Sequence, residues 1–334
     1  MIDLSANLMY NITNSGKAIL ALGDSYTSGA GAIDDEIYEN YKWRHQAAGY
    51  PLQFDISDDE KRNLVKQYPL LRYENGTINT DAMTQKNAFV NVLCETYFAN
   101  EYTPINFGLS GSGNRGRVRE LYLNPQIPWD AINDLIVIYC PTGIERFDFI
   151  DDQWFPSLHT KTMWPTTPPE WPSTPRTNLW RAYGDAVYSE KAAIIEQIAI
   201  VQELQTWCKL RKAKLIITPA FDPRYDKDLF EDALSTTVRR NDDWSINTYH
   251  RDEKHPSSAV ELLELWPWDS MFKPEGFENF AQLSMSKDDI KDKSDFYFQF
   301  QGTRSPNGWM TPCSHPGQKA HDLFANLLYQ HITK

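Results

Sequence analysis

Ala18-Ile19-Leu20-Ala21-Leu22-Gly23-Asp24-Ser25-Tyr26-Thr27-Ser28-Gly29 is an apolar run that breaks into a short polar turn. The run predicts a buried strand over Lys17–Gly23. A turn at that point lifts the Ser25 hydroxyl to the C-terminal edge of a sheet, where open α/β folds keep their chemistry. Several hydrolase folds expose a nucleophilic serine at such a strand-to-turn junction. A plainer reading stands beside it, in which Asp24 and Ser25 only hydrogen-bond their own backbone.

Working outward, strand-like and helix-like segments alternate. Thr84–Ala99 carries apolar residues at 88, 89, 92, 93, 97 and 98, a helical stripe. The short strand Pro104–Phe107 leads into Gly108-Leu109-Ser110-Gly111-Ser112-Gly113-Asn114, which opens a helix from Arg115 to Tyr122. Asp134–Cys140 is a continuous apolar run of the kind a central parallel strand needs. Tyr188–Arg211 reads as a long amphipathic helix, Ala213–Pro219 as the next buried strand and Gly317–Ile332 as the closing helix. Strands alternating with helices predict an α/β fold with a parallel, doubly wound sheet.

Three stretches interrupt this pattern and read as insertions in a single domain over 1–334: about 30–81, 149–180 and 222–304. The first is polar and irregular. The second interleaves Trp154, Trp164, Trp171 and Trp180 with Pro156, Pro165, Pro168, Pro169, Pro172 and Pro175, too many prolines for regular helix or sheet. The third is acidic and aromatic, with Trp244, Trp266, Trp268 and the run Phe296-Tyr297-Phe298-Gln299-Phe300. Loops of this length are commonly lids or binding walls, and equally they can pad the fold or make an oligomer contact.

Composition narrows the function classes. The chain has 334 residues with Lys+Arg 33 against Asp+Glu 45, a net charge of -12. An acidic chain with no basic run argues against binding nucleic-acid backbone or anionic lipid. The N-terminus shows no basic-then-apolar signal region, and no apolar stretch approaches the ~18 residues that span a bilayer. The expectation is therefore a cytoplasmic or virion-associated protein. Cys94, Cys140 and Cys208 lie in apolar stretches and read as reduced core residues. There is no Cys-x-x-Cys and no Cys/His cluster at zinc spacing, so no metal site of that kind is expected.

A serine needs a base within hydrogen-bond reach and donors for the oxyanion before it is a useful nucleophile. His315-Pro316-Gly317, just ahead of the last helix, places a histidine at the same sheet edge. Gly111, after the second strand, can aim an unobstructed N–H at a bound oxygen, and Asn114 one turn later offers an amide. Arg115, Arg117 and Arg119 read either as an anion site or as a solvated helix face. Glu145, Arg146 and Asp148 read as an ion-pair cluster beside the site, or as substrate contacts.

Taken together, Gly23-Asp24-Ser25, Ser110-Gly111 and His315-Pro316 resemble the SGNH, or GDSL-type, hydrolases along the whole length of the chain. The resemblance implies a flavodoxin-like sheet of five parallel strands between helices, and cleavage of esters, thioesters or carbohydrate O-acetyl groups without a cofactor. It implies Ser25 as nucleophile, oxyanion N–H groups at Ser25 and Gly111, and His315 as base.

Two departures stand out. The family's third block is Gly-x-Asn-Asp, yet here the third strand runs into Cys140-Pro141-Thr142-Gly143-Ile144-Glu145-Arg146-Phe147-Asp148. This resembles a divergent branch associated with tailed-phage genomes, in which Thr142 or Asn114 stands in as the missing donor. The family's Asp-x-x-His acid is also absent, since Pro312 precedes His315 by three residues. The Pro312 carbonyl is then the candidate that orients the imidazole, with Asp24 bracing the nucleophile turn. Asp252-Glu253-Lys254-His255 has the family spacing but leaves the chain beyond it unexplained, so His315 is preferred over His255. Cys313 has only His315 near it as a base.

The resulting expectation is a serine esterase or carbohydrate O-deacetylase with a Ser-His dyad, acting on a small acyl ester or an acetylated sugar. The alternative is a catalytically impaired relative that binds or builds, such as a virion component, with oligomeric or virion assembly as its role.

Overall fold

Every residue of the Lys17–Gly23 strand but Lys17 is buried, because the strand is central and covered on both sides. In this computed structural model it is β1, paired in parallel with β2 (Thr103–Gly108) on one side and β3 (Asp134–Tyr139) on the other. A fourth strand, β4 (Lys214–Ile217), pairs in parallel with β3, and the sheet order is β4-β3-β1-β2. The structure describes residues 6–40, 43–46, 50–54, 56–123, 127–151, 159–163, 173, 175–184, 188–235, 237–240, 246–249, 259–292, 295, 299, 304–311 and 314–334.

Alternation of side chains along each strand divides the core into two layers. Ala18, Leu20 and Leu22 of β1 and Leu135, Val137 and Tyr139 of β3 face one layer. There they meet Ile12 of α1 (Ala6–Ser15), Val118 of α3 (Asn114–Leu123), and Ile194, Ile198, Val201 and Leu204 of α4 (Glu190–Leu210). The short helix α2, Ser25–Ser28, lies between α1 and α3 in the chain. Ile19, Ala21, Ile136 and Ile138 face the other layer, against Phe89, α5 (Phe280–Ser286) and α6 (Gln318–Thr333). A parallel sheet with helices over both faces is the expected α/β class.

The expected fifth strand is reduced to one parallel bridge between Ile217 and Met271, with Phe272 N–H donating to Ile217 O at 2.7 Å. Pro267 and Pro274 bracket this segment, and a proline brings no N–H to a ladder.

The three expected insertions hold more regular structure than their composition suggested. Residues 33–83 build a small core of their own from Ile33, Ile37, Leu64, Leu71, Ile78 and Met83. Its helix Asp58–Gln67 starts in a capping box between Ser57 and Glu60. The proline-rich stretch contains an antiparallel hairpin, Phe147–Asp151 with His159–Met163, and the helix Pro175–Ala182. Pro175 is the first residue of that helix, where a missing N–H costs nothing. Much of 222–304 is core rather than loop. Phe230, Leu234, Leu263 and Trp266 complete the first layer, and Phe280, Ala281, Leu283 and Met285 the second. Trp266 and Trp268 pack on each other and on Phe230, so neither is a free binding wall. Trp154, Trp164, Trp171, Trp244 and most of the 296–300 aromatic run lie outside the described residues.

The first strand lies inside the sheet between the second and the third, so the chain winds away in opposite directions on either side of it. The crevice beyond the C-terminal ends of β1 and β3 is where such sheets place a ligand site. Ser25 and Thr142 both follow strands into that crevice.

Candidate active site

Two glycines let the serine turn close down on the sheet. A Cβ at Gly108 would lie 2.2 Å from the Ser28 backbone nitrogen, and one at Gly23 would lie 2.0 Å from Thr27 Oγ1. With both absent, α2 starts directly off β1. Asp24 caps it, its Oδ1 accepting from Tyr26 N–H at 3.0 Å, and Gly29 ends it at φ 85°. The Asp24 side chain is fully buried, and Ser25 is 8% exposed.

His315 reaches the same point from the opposite end of the chain. Its Nε2 lies 2.8 Å from Ser25 Oγ. The loop that carries it is folded on itself: Thr311 N–H and Oγ1 both donate to His315 O, and Ser314 takes up φ 57°. Tyr26 ties this loop to the serine turn. Its hydroxyl donates to Ser314 O at 3.0 Å, and its ring centroid is 5.1 Å from the His315 imidazole. Upstream, the buried Asp288 carboxylate accepts from Ser305 Oγ, Asn307 N–H and Trp309 N–H, fixing the approach to the loop. Pro312, Cys313 and the rival His255 lie outside the described residues.

On the other flank, Gly111 adopts φ 74° with nothing within 4 Å of where a Cβ would stand. Among the described residues, neither the Ser25 nor the Gly111 N–H has a protein acceptor. The two candidates for a further donor are placed differently from the expectation. The Asn114 amide nitrogen donates to Gln197 Oε1 and Tyr225 Oη, each at 2.8 Å, and its Oδ1 accepts from Thr142 N–H at 2.8 Å. The Thr142 hydroxyl donates to Asp24 Oδ2 at 2.9 Å. Both side chains are about 1% exposed, and their donors are spent inside the protein. Short polar side chains next to a site read as donors in a sequence; burial turns them into braces.

Arg146 is the residue that sequence reasoning undervalued here. Its Nη1 donates to Asp24 Oδ2 at 3.1 Å and to Ser112 O at 2.9 Å, and its guanidinium lies 5.1 Å above the Phe221 ring. The signal available was an arginine shortly after the end of the third strand, at the sheet edge that carries Asp24. Asp148 caps α3 by accepting from Gly113 and Gly116 N–H, and Glu145 pairs with Arg224, which also holds Asp222. These are structural ties within the third block.

Two of the arginines of α3, Arg115 and Arg117, are committed as well. Arg115 pairs with Glu196 and Glu203 of α4, and buried Arg117 donates to Phe107 O, its pKa lowered by burial. Burial pushes the Cys140 and Cys208 thiols up to about 12, and raises that of Cys94 further. His321 is fully buried, accepts the Phe89 N–H at Nδ1, and is driven down to about 3 by burial, so it stays neutral. Among the described residues no cluster of His, Cys, Asp and Glu could hold a metal ion, and no helix is long and apolar enough to cross a membrane.

A scan of known families finds no model that matches the chain, and no curated protein matches it. Solved structures do resemble it at very low identity. One is described as a lipolytic protein of the G-D-S-L family from Desulfitobacterium hafniense DCB-2, at 9% identity and TM-score 0.34 over 94% of this chain and 98% of that one. A second is an alpha/beta hydrolase enzyme from the metagenome of Lake Arreo, Spain, at 12% identity and TM-score 0.36 over 94% of each chain. A third is described as a GDSL-like lipase from Parabacteroides merdae ATCC 43184, at 14% identity and TM-score 0.34 over 95% of each chain. Likeness this distant says nothing about chemistry, which rests on the geometry of Ser25 and His315.

Proposed function

We propose that this protein is a serine hydrolase of carboxylic esters, an esterase or carbohydrate O-deacetylase. The observation that carries this reading is the 2.8 Å contact between Ser25 Oγ and His315 Nε2 at the C-terminal edge of a parallel sheet. A serine hydroxyl paired with a histidine ring nitrogen is the minimal activated nucleophile. Ser25 Oγ attacks the ester carbonyl while its proton passes to His315 Nε2. The carbonyl oxygen becomes an oxyanion held by the Ser25 and Gly111 N–H groups. His315 then returns the proton to the departing alkoxide, which leaves as an alcohol. Water, deprotonated by His315, attacks the acyl-serine, and the carboxylic acid and free Ser25 are restored.

With Asn114 and Thr142 spent inside the protein, the oxyanion has two backbone donors in this reading. One donor fewer costs about 10²–10³ in turnover, so the expected enzyme is slow. The test is hydrolysis of p-nitrophenyl acetate and of O-acetylated sugars. Wild-type protein releases product above background, and Ser25→Ala reduces the rate to background with its thermal unfolding unchanged. Equal rates in the two proteins would instead favour a binding or assembly role on the same fold.

A further inference from the structure

We infer that Arg146 is a positioning residue that sets the spacing between the two oxyanion donors. The inference rests on the reading of Ser25 as nucleophile and adds a part that reading does not contain. A single nitrogen, Nη1, carries both bonds: one hydrogen goes to Asp24 Oδ2 at 3.1 Å, the other to Ser112 O at 2.9 Å. Asp24 precedes Ser25, and Ser112 follows Gly111. The two N–H groups assigned to the oxyanion thus belong to residues flanked by the two acceptors of one guanidinium.

Other restraints act on the same segments, and Arg146 adds the link between the residues next to the two donors. The Gly111 loop is tied to β1 at its start, where Leu109 N–H donates to Gly23 O at 3.1 Å. Its far end returns to Leu109 O through the Ser112 N–H at 3.2 Å and the Ser112 hydroxyl at 2.8 Å, that hydroxyl lies 3.5 Å from Gly23 O, and Asp148 holds the Gly113 N–H; Arg146 takes the Ser112 carbonyl. Gly111 sits between the two anchors with an open, left-handed backbone that does not hold itself. On the serine side, Asp24 Oδ1 caps α2 and Oδ2 receives both Thr142 and Arg146. Arg146 itself is fixed: its side chain is 13% exposed, and its guanidinium carbon sits 5.1 Å from the Phe221 ring centroid. Phe221 in turn packs on Tyr26 at 5.3 Å. A rigid planar cation with diverging hydrogens suits a fixed spacing, and a flexible ammonium does so less well.

Two donors help only if both meet the oxygen in the transition state, and small misplacement is costly there. Arg146→Met removes both bonds. It should lower kcat for p-nitrophenyl acetate by about tenfold to hundredfold with KM nearly unchanged. Arg146→Lys keeps the charge beside Asp24 and should recover part of the loss. Because Arg146→Met leaves a buried carboxylate short of its partner, Asp24→Asn/Arg146→Met serves as a second variant without an orphaned charge. It too should be slow. All rates are expressed per serine labelled by a fluorophosphonate, so unfolded protein does not count. Wild-type kcat per labelled serine in both Met variants overturns the role of Arg146 and leaves the serine hydrolase reading standing. A wild-type protein that neither labels nor turns over overturns both.

Discussion

Ser25 and His315 meet across one hydrogen bond, but the two sides of it are built by opposite means. The serine side hangs from backbone: β1 is laddered on both flanks, and its buried end carries a capped helical turn. Among the described residues the histidine side has no ladder beyond one Met310–Pro316 bridge; a few local backbone bonds fold its loop on itself, and side chains reaching in from elsewhere tie it to the rest. Asp288 and Tyr26 do most of that holding. Main-chain scaffolding is spread over many bonds and tolerates the loss of any one. A loop held by a few side chains concentrates its precision in them. Single side-chain deletions should therefore disturb His315 more than Ser25.

The largest effect tests which histidine belongs to the site. His315→Ala should abolish ester turnover, whereas His255→Ala should leave it within about twofold, since the base supplies a contribution of about 10²–10⁴. Loss of activity in His255→Ala with retention in His315→Ala would assign the base side to the wrong segment.

A matched pair of buried carboxylates comes next. Asp288→Ala strips an acceptor from Ser305, Asn307 and Trp309, and should cost about 3 kcal/mol of stability while slowing turnover about tenfold. Asp148→Ala uncaps α3 on the oxyanion flank, and should cost about 1–2 kcal/mol with a smaller change in rate. Chemical denaturation and kcat measured on both would break the comparison if Asp148→Ala proved the slower enzyme.

The base side should also be the acid-sensitive one. His321 sits in the first turn of α6, six residues after His315, neutral and fully buried, with a pKa of about 3. In the unfolded chain the group returns to about 6.5. Between those values the unfolded state binds the extra proton, so this contribution to stability is complete above about pH 6.5 and is lost as pH falls. The slope approaches 1.4 kcal/mol per pH unit. His321→Asn keeps an acceptor for Phe89 N–H without a titrating ring, and should flatten the melting temperature between pH 6.5 and 4.5. Parallel curves for the two proteins would place the acid sensitivity elsewhere.

The smallest effect separates strain from contact. At Gly31, φ 88°, a methyl would lie 2.8 Å from Thr311 Oγ1 and 3.1 Å from His315 Cβ; at Gly76, φ 81°, it would meet nothing. Both alanine variants should lose about 1–2 kcal/mol to the left-handed backbone. Only Gly31→Ala should also lower kcat. Equal kinetics in both would show that the base tolerates displacement.

The asymmetry also decided what could be read beforehand. β1 as a buried strand and the turn that carries Ser25 at its end are local patterns, and both were legible. His315 was legible as a histidine ahead of a terminal apolar helix. The braces were not. Asn114 and Thr142 looked like free donors because nothing nearby in sequence announces Gln197, Tyr225 or Asp24 as their partners. Trp266 and Trp268 looked like a binding wall because an aromatic cluster amid acidic residues gives no hint of the layer it completes. The fifth strand was expected from the resemblance alone, and a single bridge between two flanking prolines stands in its place.

The most direct measurement is intact-mass analysis after treatment with a fluorophosphonate, followed by peptide mapping. The account predicts one adduct per chain, located on Ser25, lost in Ser25→Ala and greatly slowed in His315→Ala. Protein that remains unmodified, or that carries its adduct on another serine, would contradict it.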